Sequence, residues 1–184
     1  MEERLLIATL EEIKIHGLKF TMDDLTKRLH ISKSSLYKTI TSKNILINKL
    51  VTYIIANYEY KERQLLESNL DVYNKIQNLI ALYIDIFNQF NNNIYHDLQI
   101  IYYDEWLRWQ KFQEQRIGIL IKLVEEGITA NKFRQVNLAV LKQCMLYTAP
   151  ALCDYNFLQE NNLSYSDAVK HYVDILLFGI EKEH

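Results

Sequence analysis

Three helix starts crowd into a short stretch near the beginning of the chain, and they constrain its fold more than any other feature. Gly17 is placed to end a first helix as its C-cap. Thr21 follows with Asp24 at N3, the form of a capping box in which each side chain covers the other's free N–H. Ser32 can cap a third helix, and Thr41 or Ser42 a fourth. The spacing predicts a helix over 2–16 with Leu5, Leu6, Leu10 and Ile13 inward, and a second over 22–29 burying Met22, Leu25 and Leu29. A third follows over 33–40, and a long fourth runs to about 66. Two short helices joined by a tight turn at His30-Ile31 and braced by a helix in front make a helix-turn-helix plan.

Charge follows the same boundary. From Leu25 to Tyr58 there is no acidic residue, while Lys27, Arg28, Lys33, Lys38, Lys43 and Lys49 all fall inside that run. Residues 1–48 carry a formal charge of +2, which leaves −4 for the rest of a chain whose net charge is −2. A positive stripe on an otherwise acidic chain reads as a surface for phosphates.

One proline and four glycines among 184 residues favour long helices over strands, which need more turn residues. Beyond the fourth helix, five more are expected over 71–91, 94–103, 104–130, 137–159 and 164–181, with Pro150 kinking the fourth of these. The expected fold is therefore all-α, with about nine helices. A three-helix head over 1–48 is joined by the long helix to a helical body over 49–184. The apolar run 138–158 is broken by Lys142, Pro150 and Asp154, so no membrane span is expected. The start of the chain lacks a basic segment before an apolar core, so it reads as no signal peptide. Cys144 and Cys153 are too far apart on one helix for a disulfide and read as buried free thiols in a reducing cytoplasm. No cofactor motif, nucleophile motif or metal-ligand spacing is present, which argues against an enzyme.

Several segments resemble one family. The runs Gly17-Leu18-Lys19-Phe20-Thr21-Met22-Asp23-Asp24-Leu25, Ile31-Ser32-Lys33-Ser34-Ser35-Leu36-Tyr37-Lys38 and Ser42-Lys43-Asn44-Ile45-Leu46 are similar to the DNA-binding head of TetR-type (TetR/AcrR) transcriptional regulators. The match spans roughly residues 4–50. Leu123-Val124-Glu125-Glu126-Gly127-Ile128 with Asn131-Lys132-Phe133-Arg134 resembles the end of that family's seventh helix. The chain departs from the family pattern at His30 and Ser34, where glycine is frequent, at Ile40, where Phe is common, and at Asp23, a position often held by Arg.

The resemblance implies that Thr21, Tyr37 and Lys43 grip the DNA backbone. Lys33, Ser34, Ser35 and Lys38 lie on the exposed, N-terminal side of the recognition helix and are candidates for groove contacts, since lysine can read guanine N7 and O6. The resemblance also implies a body that binds a ligand and forms a homodimer. Its last helix and helix 137–159 are apolar nearly all round, so each needs partners on two sides. Leu141, Met145, Leu152, Val169, Tyr172 and Leu176 are expected in the dimer interface. Tyr102, Trp106 and Trp109 share a helical face, with Asp104 and Glu105 beside them and Asp104 placed to pair with Arg108. With Tyr83, Phe87 and Tyr147 they are expected to line a pocket for a small lipophilic molecule, aromatic or cationic.

The expected function is a ligand-responsive repressor that binds a palindromic operator in double-stranded DNA as a dimer. A competing expectation is an all-α ligand- or partner-binding protein whose basic head binds acidic surfaces without reading DNA sequence.

Overall fold

The computed structural model describes residues 2–87, 94–152 and 154–180. Among these, ten α-helices and one 3-10 turn form the fold, with no strand. α1 (Glu2–His16) stops at Gly17, whose φ of 60° is the left-handed conformation a C-cap glycine adopts freely. The 3-10 turn Gly17–Lys19 leads to Thr21, which caps α2 (Met22–Leu29) in the reciprocal box with Asp24. Asp24 accepts from the Thr21 N–H at 2.8 Å, and these contacts hold its carboxyl below the usual range.

α2 ends in a Schellman motif. The His30 N–H reaches the Lys27 carbonyl at 3.2 Å, and the Ile31 N–H reaches the Thr26 carbonyl at 3.1 Å. That closure places His30 at φ 55°, in the left-handed region. Ser32 then caps α3 (Lys33–Thr39), and Ser42 rather than Thr41 caps α4 (Lys43–Glu67) through the Ile45 N–H. Leu25 and Leu46 are completely buried, with Phe20, Leu36 and Ile47 nearly so. Side chains of this size each contribute about 1.5–3 kcal/mol on burial, which fixes α3 against α2 and α1 against α2 and α4.

α5 (Val72–Phe87) and α7 (Tyr103–Thr129) pack along α4, α6 (Ile94–Ile101) lies against α7 and the 3-10 turn of the head, and α10 (Tyr165–Ile180) packs on α5. α7 ends in another Schellman motif, with Asn131 at φ 57° and Phe133 folded back against Gly127. The helix expected over 137–159 is two helices, α8 (Leu138–Ala151) and α9 (Tyr155–Glu160). Pro150 lacks an N–H and sits in the last turn of α8, and Asp154 restarts the chain by capping the Phe157 N–H at 2.8 Å. Cys144 is exposed on α8, contrary to the expected burial, and Cys153 lies outside the described residues. No helix of the described residues is long and apolar enough to cross a membrane.

Candidate nucleic-acid interface and ligand cavity

The outer face of α3 is built by subtraction. Leu36 is buried and turns one side of the short helix inward, so Lys33, Ser34, Tyr37 and Lys38 all remain exposed. They fall within roughly 140° of the helix circumference at 100° per residue. Tyr37 is 44% exposed, so it is not a core aromatic. The Ser35 hydroxyl is exposed but lies 2.9 Å from that of Ser32, which also takes the Ser35 N–H. Thr21 serves as the cap of α2 and remains exposed beside this face.

Folding changes the charge pattern that the linear sequence suggested. Arg28 reaches back to α1, to Glu12 at 2.5 Å and Glu11 at 2.8 Å. Lys33 pairs with Asp23 at 2.8 Å, which raises its ammonium pKa, and Lys49 pairs with Glu2 at 2.5 Å. The Lys43 side chain turns inward, contrary to its expected place on the DNA backbone. Its Nζ donates to the Leu18 carbonyl at 2.7 Å and to the Phe20 carbonyl, 4.2 Å from the Phe20 ring centroid. Burial pushes its pKa down. What α4 still offers an anion is the Lys43 and Asn44 N–H groups of its first turn, since Ser42 takes that of Ile45 and the intrahelical bonds begin at Leu46. Lys38 has no acidic partner among the described residues, and with Tyr37, Ser34 and the α4 terminus it forms the surface open to phosphates.

The second site lies in the helical body. A partly open cavity of about 100 Å³ lies between α4, α5, α7, α8 and α10, with Leu152 at the end of α8. Its walls are mostly aliphatic, including Ile80 of α5, Leu120 of α7 and Val173 of α10. Glu62, Arg116, Gln113 and four tyrosines, Tyr58, Tyr83, Tyr165 and Tyr172, also belong to the lining, but the surface that they present to the cavity is almost wholly apolar. Gln113 donates to the Tyr83 hydroxyl at 2.7 Å. Arg116 lies 3.1 Å from Glu62 and 3.4 Å from Glu59, with its guanidinium 4.7 Å from the Phe112 ring centroid. Pro150 borders a separate, more open groove between α7 and α8, which shares Gln113 and Ile117 with the cavity.

Of the residues expected to line a pocket whose side chains are described, Tyr83 alone does so. Tyr102 and Trp109 are buried core aromatics, and Trp109 and Trp106 pack against Tyr95 instead. Tyr147 is 78% exposed on the outside of α8. The Phe87 side chain lies outside the described residues. Arg108 pairs with Glu105 at 2.7 Å rather than with Asp104, and Glu105 also takes a hydrogen bond from Asn48 of α4.

Of the residues expected at a dimer interface, Val169 is buried and the other five are half-buried. Leu141, Met145, Leu152, Val169, Tyr172 and Leu176 all line the cavity of their own protomer. The outward faces of these helices carry Val140, Cys144 and Tyr147 on α8 and Ile175 and Phe178 on α10. Both sets follow i, i+3 or i+4 spacing and form exposed apolar stripes. Sequence periodicity identified helices with two apolar sides; it could not say which side met the protomer's own core. The missed Tyr58–Glu62 and Gln113–Arg116 pairs had one available signal, since polar groups recur there on helix faces that are otherwise inward.

No family model matches the chain. A curated relative, the HTH-type transcriptional regulator YvaF of Bacillus subtilis, is 26% identical over 98% of this chain and 95% of its own length. Among solved structures, the TetR-family regulator PfmR of Thermus thermophilus superposes with a TM-score of 0.66 at 15% identity, covering 97% of this chain and 100% of its own. A structure from Saccharomonospora viridis, described as a transcriptional regulator in complex with choline, gives a TM-score of 0.77 at 13% identity, covering 99% and 98%. The fold is that of the TetR/AcrR regulators. These relatives and structural neighbours are transcriptional regulators, not enzymes. Among the described residues, no three His, Cys, Asp or Glu side chains group to hold a metal.

Proposed function

We propose that this TetR-type chain is a repressor that binds a palindromic operator as a homodimer and is released by a small lipophilic molecule, aromatic or cationic. The observation that carries the reading is the reach of α4. At one end its N-terminal turn stands beside the exposed face of α3, and Tyr58 and Glu62 further along line the cavity. From Lys43 to Glu62 is roughly 28 Å at 1.5 Å per residue, so a single rigid helix spans both sites. A ligand that fits the cavity in only one tilt of α4 lowers DNA affinity by its differential affinity for the two states.

In this reading residues 1–48 form the DNA-binding unit and 49–184 the ligand-binding and dimerisation unit, working in the cytoplasm. Ser34, Tyr37 and Lys38 contact DNA directly, Thr21 and the α4 amides hold phosphates, and Lys33 and Ser35 reach the groove after exchanging their present partners. The two-fold interface is the apolar stripe through Tyr147 and Phe178. A dimer joined there presents two α3 helices to half-sites ~34–36 Å apart. The choline found in one structural neighbour supports a small organic effector.

Selection from a pool of random duplexes, followed by sequencing of the retained fraction, tests the proposal. Enrichment of a palindrome is expected. Retention without sequence preference, lost at moderate salt, would instead favour a head that only binds acidic surfaces.

A further inference from the structure

Seven side chains of the cavity lining carry polar groups, yet the surface that they present to it is almost wholly apolar. Several of those groups are spent within the protein. Arg116 lies 3.1 Å from Glu62, so the one cation and the one anion of the lining are already paired. Gln113 donates to the Tyr83 hydroxyl at 2.7 Å, and the Tyr58 hydroxyl donates to the Leu79 carbonyl at 3.5 Å. What is left for a ligand is carbon, most of it on aliphatic side chains such as Ile80, Leu120 and Val173.

A molecule entering such a space exchanges water for carbon. An ammonium or a carboxylate gives up its hydration there and meets no counter-charge turned toward it. Drawing Glu62 or Arg116 to a charged ligand would break a buried pair, which offsets the new contact. Hydrocarbon gains from the same transfer, whichever part of the wall it touches. The size sets a second limit. At about 100 Å³ the cavity is smaller than a dry apolar cavity of ~150 Å³ that binds benzene, so it suits one small ring or a short branched chain. Met145 in its wall has a flexible side chain that can follow either shape. Because the cavity is partly open, a lone hydroxyl on such a molecule can stay near water.

We propose that the cavity takes a small uncharged ligand, mostly hydrocarbon, and discriminates against ammonium and carboxylate groups alike. This narrows the effector of the ligand-responsive reading above to uncharged molecules and rests on the cavity being its ligand site.

The test is calorimetric titration of the full-length protein at neutral pH with cyclohexylmethanol, cyclohexylmethylamine and cyclohexanecarboxylate, which are close in shape and differ in charge. The alcohol is expected to bind about tenfold or more tighter than the other two. Val173→Phe and Leu120→Phe each add a ring to the wall from a different helix, and each is expected to weaken alcohol binding about tenfold by filling the space. Circular dichroism checks that each variant folds. Either variant locates the site if the other does not fold, and the parent's probe ranking decides the matter if neither does. Equal or tighter binding of the amine or the carboxylate, alcohol binding that survives filling of the cavity, or no binding of any probe overturns the proposal. DNA affinity, followed by fluorescence anisotropy on the selected duplex, separates the two readings. Alcohol binding that leaves DNA affinity unchanged keeps the uncharged site and retires the ligand-responsive function. Release of DNA by the amine or the carboxylate, with the alcohol inert, does the reverse.

Discussion

His30 should be replaceable by glycine with a gain in stability, and the size of that gain follows from its backbone. The residue sits at φ 55°, ψ 45°, held there by the Schellman bonds that end α2. A side chain in this region costs roughly 1–2 kcal/mol, towards the lower end for histidine, which visits it more readily than most residues. Glycine removes that cost but loses ~0.4–1 kcal/mol more than other residues through its freer unfolded chain. The net expectation for His30→Gly is a stabilisation of about 0.5 kcal/mol, or 1–2 °C in melting temperature for a chain of this size. His30→Ala keeps a Cβ and should give none of it. Thermal unfolding of the three proteins at one concentration, followed by circular dichroism, is the assay. A glycine variant that melts at or below the parent would refute the reasoning, because it would mean the exposed imidazole makes an interaction worth more than the backbone cost. DNA affinity should change less than twofold, since the glycine variant keeps the same turn.

Three further expectations follow from the same geometry. Asp23→Asn frees Lys33 from its ion pair, so DNA binding should tighten and the slope of log affinity against log salt should steepen by about 0.9, one phosphate contact; an unchanged slope would mean Lys33 already leaves Asp23 on DNA. Phe178→Glu, at a side chain 73% exposed, should convert the dimer to monomer in sedimentation at micromolar concentration without loss of helicity; a persistent dimer would place the interface elsewhere. Gly127→Ala would put a Cβ 2.2 Å from the Phe133 ring, so the ordinary helix gain of ~1 kcal/mol should be reversed by an overpacking cost of ~1–3 kcal/mol. A raised melting temperature in that variant would show that Phe133 moves aside cheaply.

The local structure of the head was legible because it is written in caps and stops a few residues apart. Thr21 with Asp24, Ser32, Ser42 and Gly17 each act on neighbours within a turn, and each does so in the folded chain. The low glycine count had a further consequence that composition alone hides, since His30, Asn131 and Asn162 take left-handed positions where glycine is common. Charge was less legible. The acid-free run 25–58 is real along the chain, but α1 brings Glu2, Glu11 and Glu12 against it, and Asp23 of α2 folds onto Lys33. Neither the cavity nor the outer stripe could be assigned to a side of α8 and α10, because both sides are apolar. Only packing turns Met145 and Leu176 inward and Tyr147 and Phe178 out. The tryptophans misled for a related reason, since a shared helical face serves a core as well as a pocket.

The most direct test of the central claim is the affinity of the purified protein for the duplex selected from the random pool, against a scrambled duplex of equal length at physiological salt. An operator-reading regulator should prefer the selected duplex by about a thousandfold or more. A preference under about tenfold, with both affinities falling together as salt rises, would contradict sequence reading by α3 and leave a surface that recognises phosphates alone.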